Sequence, residues 1–349
     1  MELNPLAKSC CTIRDGAELP RELLILLTTL KIPNALLFIG NQGLGKIQTA
    51  HLFARSLNCQ AEKTDKKPAC NQCRSCKKML AAVHPDIICV DSIKETIKIA
   101  QIREIYGQIK AKPHEAKFRM VLIQGADTMN KEASNALLKI LEEPPERTFF
   151  VLTAEGTDTL LPTILSRCRQ VKFLPMDQNR MEQILIIDHR VDRTMAKIAA
   201  SLARGSLEKA LKFAGAEDIS KSDDLINLPK TREWIITATS SLISGNEPGT
   251  LALALAERLS KTSETMDETL TILESLLRDI VVFNHNPGII INLDFQTLIS
   301  RTAPCVSTRQ ALGWIDELGR TRKKIKANAG VRLTLEAFLF TLMPAGQYT

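Results

Sequence analysis

Ala35-Leu36-Leu37-Phe38-Ile39-Gly40-Asn41-Gln42-Gly43-Leu44-Gly45-Lys46-Ile47 is an apolar run that breaks into a glycine-rich loop ending on a lysine. The spacing G-x-x-x-x-G-K, from Gly40 to Gly45 and Lys46, is that of a phosphate-binding loop. The glycines (Gly43 with them) let backbone N–H groups wrap phosphates, and the lysine reaches the outer ones. The next position should be Ser or Thr, whose hydroxyl holds Mg²⁺; here it is Ile47, with no oxygen to offer. The apolar run before the loop reads as a buried strand, and Lys46–Leu57 has helical character. This strand–loop–helix order is the context such a loop needs, because the phosphates sit at the helix N-terminus.

The chain has 349 residues, enough for two or three domains, each with its own core. A hydrophobic fraction of 44% and a charged fraction of 24% describe a soluble globular protein. No N-terminal stretch combines basic residues, an apolar run and a small-residue cleavage site, and Leu23–Leu30 is too short to span a bilayer. A cytoplasmic location and no membrane contact are therefore expected. The net charge of +7 is compatible with nucleic acid, while aromatics at 4% argue against a base-stacking surface. Backbone contacts are the expected mode if DNA is touched.

Nine cysteines in a cytosolic chain do not read as a disulfide framework. Cys59, Cys70, Cys73 and Cys76 follow the spacing C-x10-C-x2-C-x2-C. Two-residue spacers let thiolates converge on one ion, and four sulfurs complete a tetrahedral Zn²⁺ shell with no place for water, so the zinc is expected to be structural. The alternative is a set of free or redox-active thiols. Gln60–Ala69 reads as a polar loop within this module. Cys10, Cys11, Cys89, Cys168 and Cys305 have no such spacing and read as small buried hydrophobes or bystanders.

Further strands are expected at Asp86–Val90, Phe118–Ile123, Thr148–Thr153 and Gln170–Phe173. Helices are expected around Ile99, Ile102, Ile105, Tyr106 and Ile109, and over Lys131–Leu141 with Ala133, Ala136, Leu137, Ile140 and Leu141 inward. Strands alternating with helices indicate an α/β domain with a mainly parallel sheet. From about Pro175 the strand signals stop, and two helical regions follow, with Ala216–Asp224 as the linker candidate between them.

Five segments in order resemble the bacterial clamp loader, the AAA+ assembly of DNA polymerase III that places the sliding clamp on primed DNA. They are Asn34–Phe38 with the loop that follows, the four-cysteine module, His84-Pro85-Asp86, Asn135–Pro145 and Leu161–Cys168. Gly205-Ser206-Leu207 and the stretch Asn328…Arg332–Leu339 look like the same family. The resemblance implies an α/β AAA+ P-loop domain with a parallel sheet and inserted zinc module (1–174, the module at about 59–76). An all-α lid (175–220) and an all-α C-terminal collar domain (221–349) are implied after it. Implied partners are gamma/tau and delta subunits, with the sliding clamp and primer–template DNA reached through the complex.

Motor subunits (gamma or tau) of that family hydrolyse ATP; the delta prime kind does not need to. Motor subunits carry acids at the end of the third strand, one supporting Mg²⁺ and one polarising water. Here neutral Gln124 and Gly125 stand there, and Asp127, three residues on, is expected to fall out of reach. Glu208 occupies the position of a lid arginine, where its charge would repel a γ-phosphate. With Ile47, three positions are degraded together, and no intrinsic ATPase is expected. The chain looks like the delta prime kind, a component of the polymerase III holoenzyme, in which polymerisation would be a property of the complex. Whether Gly40, Gly43, Gly45 and Lys46 still hold ATP or ADP weakly without Mg²⁺, or form a relic loop, stays open. Ser166-Arg167-Cys168 matches the family's S-R-C motif, so the resemblance makes Arg167 an arginine finger acting in trans, with Arg169 a second candidate.

Two other functions are kept beside this one: an ATP-hydrolysing motor subunit with an atypical Mg²⁺ site, and a zinc-dependent DNA-binding module with a relic P-loop. Glu142 and Glu143 read as a helix end before Pro144-Pro145 and not as an acid–base pair, and His84 as a loop or capping residue and not a zinc ligand. The basic run Arg320, Arg322, Lys323, Lys324 and Lys326 reads as a solvated helix face, with DNA or an acidic partner as its alternative.

Overall fold

Four short runs rich in apolar residues and one polar edge segment become the strands of one parallel sheet: β1 (Ala35–Ile39), β2 (Ile87–Val90), β3 (Arg119–Ile123), β4 (Thr148–Ala154) and β5 (Arg169–Lys172), in the order β2-β3-β4-β1-β5. The computed structural model describes residues 20–29, 31–61, 69–91, 96–216, 228–245, 249–261 and 265–343. Cys10, Cys11, residues 62–68 of the expected polar loop and residues 217–224 of the expected linker lie outside the described residues. The helices of this part are α1 (Arg21–Thr29), α2 (Lys46–Asn58), α3 (Arg74–Leu80), α4 (Ile99–Ile109), α5 (Lys131–Glu142) and the short α6 (Pro162–Leu165).

The central strands β1, β3 and β4 are largely apolar because both faces of the sheet are covered there, whereas edge strand β5 (Arg-Gln-Val-Lys) buries only Val171. Ala35 and Leu37 of β1, Val121 and Ile123 of β3, and Phe150 and Leu152 of β4 share a core with α4 and α5. Their alternates Leu36, Phe38, Met120, Leu122, Phe149 and Val151 share another with α1 and α2. Burying side chains of this size stabilises by roughly 1.5–3 kcal/mol each. In α4, Ile102, Ile105 and Ile109 are buried as the spacing requires, but Tyr106 is half exposed, beneath the Lys110 ammonium at 5.3 Å from the ring centroid. One helical turn cannot present both Ile105 and Tyr106 to the same sheet.

A buried carboxylate ties the start of β2 to the segment before β3. Asp86, fully buried, accepts from the N–H groups of His114 (2.8 Å), Glu115 (2.9 Å) and Ala116 (2.9 Å), and from the guanidinium of buried Arg119 (3.2 Å). Arg119 also donates from Nη1 to the Ala111 carbonyl at 2.7 Å and from Nη2 to the Lys112 carbonyl at 3.0 Å. Burial by itself would push the Asp86 carboxyl up; the three backbone donors and Arg119 outweigh it and hold the pKa below the ordinary aspartate value.

Contacts divide the chain into two units, Met1–Pro175 and Met176–Thr349. Among the described residues the second unit is helical: α7 (Gln178–Ile187), α8 (Arg193–Leu202), α9 (Leu207–Ala214), α10 (Leu228–Ile243), α11 (Gly249–Ser260), α12 (Met266–Phe283), α13 (Gln296–Thr302), α14 (Thr308–Lys326) and α15 (Val331–Thr341). Asp177, Asp192 and Ser206 cap the first three by accepting backbone N–H groups of the first turn. The helical regions on either side of residue 220 contribute to one continuous apolar core running from Met181 to Met343. Within it, buried Asp279 accepts from the N–H groups of Ile291 (2.9 Å) and Asn292 (2.7 Å), and buried Arg232 pairs with Asp294 at 2.6 Å.

Replacing Asp86 by Ala leaves the Arg119 guanidinium buried without its charge partner and should cost about 3–5 kcal/mol in urea unfolding. Because the folded pKa of Asp86 is depressed, its contribution is fully present above the unfolded value of about 3.9 and is lost as pH falls through the lower folded value. Unfolding midpoints measured from pH 6 down to pH 2 should therefore fall less steeply in Asp86→Ala than in the unaltered chain.

Candidate functional site

The glycine-rich loop lies at the C-terminal edge of the sheet, beyond β1, which sits between β4 and β5. β1 leads into α2 on one face, whereas β3 leads into α5 on the other, so the loop stands where the chain crosses to opposite faces. Backbone pairing continues past the strands: Gly40 N–H donates to Ala154 O at 3.1 Å, and Phe173 N–H to Ile39 O at 2.7 Å. At Gly40 (φ +153°) a Cβ would stand 2.5 Å from the Phe173 carbonyl oxygen, so only glycine fits. Gly43 and Gly45 (φ +80° and +79°) carry the left-handed turns that wind the loop into α2.

Lys46 does not stand free. Its ammonium donates to the carbonyls of Gly40 and, at 2.8 Å, Asn41, within its own loop. Burial pushes the Lys46 pKa down, and the charges of Glu155 and Asp127 push it back up. Asp127 therefore lies close enough to the loop lysine for its charge to be felt. It sits on a 3-10 turn, Ala126–Thr128, and holds Glu155 N–H at 3.1 Å, so two carboxylates rim the loop. Ile47 packs partly buried against the α1–α2 core. Buried Gln124 donates its N–H to Val90 O at 2.9 Å, and Gly125 (φ +68°) donates to Thr153 Oγ1 at 3.1 Å. Glu208 lies in the second unit, in the first turn of α9, paired with Lys212 at 3.5 Å; an acid there complements the helix dipole.

The sulfurs of Cys59, Cys70, Cys73 and Cys76 all lie within 4.8 Å of one another. Tetrahedral zinc with bonds of about 2.3 Å spaces its sulfurs by roughly 3.8 Å, close to the 3.9 Å between Cys70 and Cys76. Backbone N–H groups point at the sulfurs: those of Cys73 and Gln72 at Cys70 (3.3 and 3.4 Å), of Cys70 at Cys59 (3.4 Å), and of Cys76 at Cys73 (3.5 Å). The donors from Cys73 and Gln72 draw the Cys70 pKa down to about 6. At Cys73 burial opposes ionisation, yet the backbone donors prevail and the pKa is lowered. Cys76, fully buried, is pushed strongly upward by burial and by its neighbouring sulfurs. A divalent cation supplies the charge that lets all four ionise, so the donor set fits zinc. His84 is buried beside this cluster and outside it, with Nε2 3.4 Å from Ser75 Oγ and Nδ1 accepting from Asp86 N–H at 3.2 Å. Cys168 is buried, which pushes its thiol up to about 11, and Cys305 is exposed.

Arg167 follows α6, exposed, with Nη1 donating to Thr163 O at 3.0 Å and Nη2 to Glu142 Oε1 at 2.7 Å. Glu142 is the last residue of α5 and Glu143 its C-cap. The Glu142–Arg167 pair escaped the sequence reading, since 25 residues separate its members and only the packing of α6 beside α5 joins them. Arg169 is exposed at the start of edge strand β5. Of the basic run on α14, Arg320 and Lys324 pair with Glu317, and Arg322 with Glu274 at 3.2 Å.

The strand order and the glycine-rich loop after β1 give the first unit the α/β architecture of an AAA+ P-loop domain. Residues 18–177 match the family described as "DNA polymerase III, delta subunit". The chain is 33% identical over 194 residues to DNA polymerase III subunit delta' of Bacillus subtilis, covering 56% of each chain. It is 30% identical over 275 residues to subunit tau of the same organism, covering 74% of this chain and 47% of tau. It is also 27% identical over 306 residues to subunit delta' of Yersinia pestis, covering 86% of both chains. The chain thus spans about half the length of the two Bacillus relatives. No helix among the described residues is long and apolar enough to cross a membrane.

Zinc measured by elemental analysis on the purified chain should be one per chain in the unaltered protein and absent in Cys73→Ser. Loss of the metal should also lower the melting temperature, because binding free energy at a closed four-thiolate site is folding free energy. Full zinc content in Cys73→Ser would exclude a four-cysteine site.

Proposed function

We propose that this chain is a non-motor, delta prime-type subunit of the DNA polymerase III clamp loader. It would support ATP-dependent loading of the sliding clamp on primed DNA by presenting Arg167 to the nucleotide site of a neighbouring gamma/tau-type subunit. Residues to about 174 would form the AAA+ domain with its structural zinc module, residues 175–220 the lid, and the remainder a collar that holds gamma/tau and delta subunits. Contacts to DNA, made through the complex, would be electrostatic and independent of sequence.

The observation that carries this reading is the contrast between two cations. Lys46 is bonded to the carbonyls of its own loop, beside Ile47, which cannot hold Mg²⁺. Arg167 is exposed at the surface. Phosphoryl transfer needs a metal and an oriented water at the chain's own site, and Gln124 and Gly125 supply neither. It also uses an arginine delivered from outside, which a subunit without turnover can supply.

A second reading, an ATPase with an atypical Mg²⁺ site, is favoured by Asp127 and Glu155, whose carboxylates face Lys46. ATP turnover by the isolated chain separates the two. The expected result is none above background; robust turnover abolished by Lys46→Ala would establish the motor reading.

In a complex reconstituted with motor subunits, Arg167→Ala should leave assembly intact and remove the DNA-stimulated turnover of the one site it serves. The loss at that site should be about 10³–10⁵-fold. Unchanged turnover in a fully assembled complex would exclude the finger.

A further inference from the structure

We infer that Glu142 is the positioning residue for Arg167, holding the guanidinium in the orientation from which it meets a phosphate on the neighbouring subunit. The inference rests on the arginine-finger reading above and names the part of this chain that aims the finger. Glu142 ends α5, where the helix dipole disfavours a carboxylate. The opposing charge it receives is Arg167, at 2.7 Å. The pair is too exposed, at 36% for Arg167 and 51% for Glu142, to contribute much to stability. What it does fix is geometry. Glu142 Oε1 holds Nη2, the Thr163 carbonyl holds Nη1 at 3.0 Å, and Ser166 Oγ lies 3.5 Å from Nη1.

These acceptors lie on two rigid supports. α5 packs into the sheet through Leu137, Ile140 and Leu141, and α6 is anchored by buried Ile164 and started by Pro162. Among the described residues the guanidinium's Nε–H has no acceptor, so a donor remains for a phosphate oxygen while the Glu142 bond is kept. An arginine has a long, flexible side chain, and transfer rates are sensitive to displacements of about 1 Å. A carboxylate on a fixed helix end removes that freedom before the neighbour arrives, and it makes one of the two residues before Pro144-Pro145 functional where both had read as a helix end.

The test is a double-mutant cycle in the reconstituted complex with motor subunits and primed DNA, measuring assembly and steady-state ATP turnover. Arg167-dependent turnover, the difference from the Arg167→Ala complex, should fall about 3- to 10-fold in Glu142→Ala. The loss should appear in kcat more than in KM, with assembly unchanged. Glu142→Gln, which keeps a side-chain oxygen acceptor, should recover part of the loss, and Glu142→Ala should have no further effect in an Arg167→Ala background. An equal fall in that background overturns the inference, as does unchanged turnover in Glu142→Ala. Loss of assembly in both Glu142 variants also overturns it, by making Glu142 an interface residue. If Arg167→Ala itself is silent, the finger reading fails and this inference with it; a silent Glu142 beside a damaging Arg167→Ala removes only the inference.

Discussion

The pairing of β1 with β4 is the contact on which the loop region depends. It sets Phe38 against Thr153 and Ile39 against Ala154, and the ladder continues when Gly40 N–H meets the Ala154 carbonyl. A parallel sheet buried on both faces leaves its strand ends as the place where loops can meet. The glycine-rich loop, the Gln124-Gly125 turn, Thr153 and the carboxylates of Asp127 and Glu155 are therefore gathered at one edge. Gly40 shows how little room that leaves, since the Phe173 carbonyl occupies the space a Cβ would need.

At that edge, charge is balanced within the chain. The Lys46 ammonium is bonded to the Gly40 and Asn41 carbonyls while two carboxylates face it. A nucleotide entering here would have to compete with the loop's own oxygens for the lysine and would meet negative charge at the rim. Arg167 is in the opposite condition, exposed and held from one side by Glu142. The cysteine cluster stands apart from both. It is joined to the sheet through His84 and Asp86, with His84 touching Ser75 of α3 and Asp86 gripping the 114–116 backbone and Arg119.

The first four strands were legible because each is largely a run of apolar residues interrupted by loop signals, and the structure starts or ends each of the later four, polar β5 included, within a residue or two of the expected bounds. The amphipathic helices were legible for the same reason, except where one residue too many was turned inward, as at Tyr106. The charge that Asp127 brings to Lys46 was not legible. Counting residues along a strand says nothing of the 3-10 turn that follows Gly125 and brings the carboxylate round toward the loop. Glu155 and the Glu142–Arg167 bond carry no local signal at all.

By itself, the sequence determined the chemistry available: a lysine without the neighbouring hydroxyl, four thiols at metal-ligand spacing, an arginine in an S-R-C triplet, and a neutral pair where acids would stand. Those are properties of residue type and short spacing, which survive without coordinates. Only the tertiary structure decided which charges meet. Lys46 turns into its own loop, Asp127 and Glu155 face it, and Arg167 rests on Glu142, because these distances depend on strand register and helix packing between segments tens of residues apart.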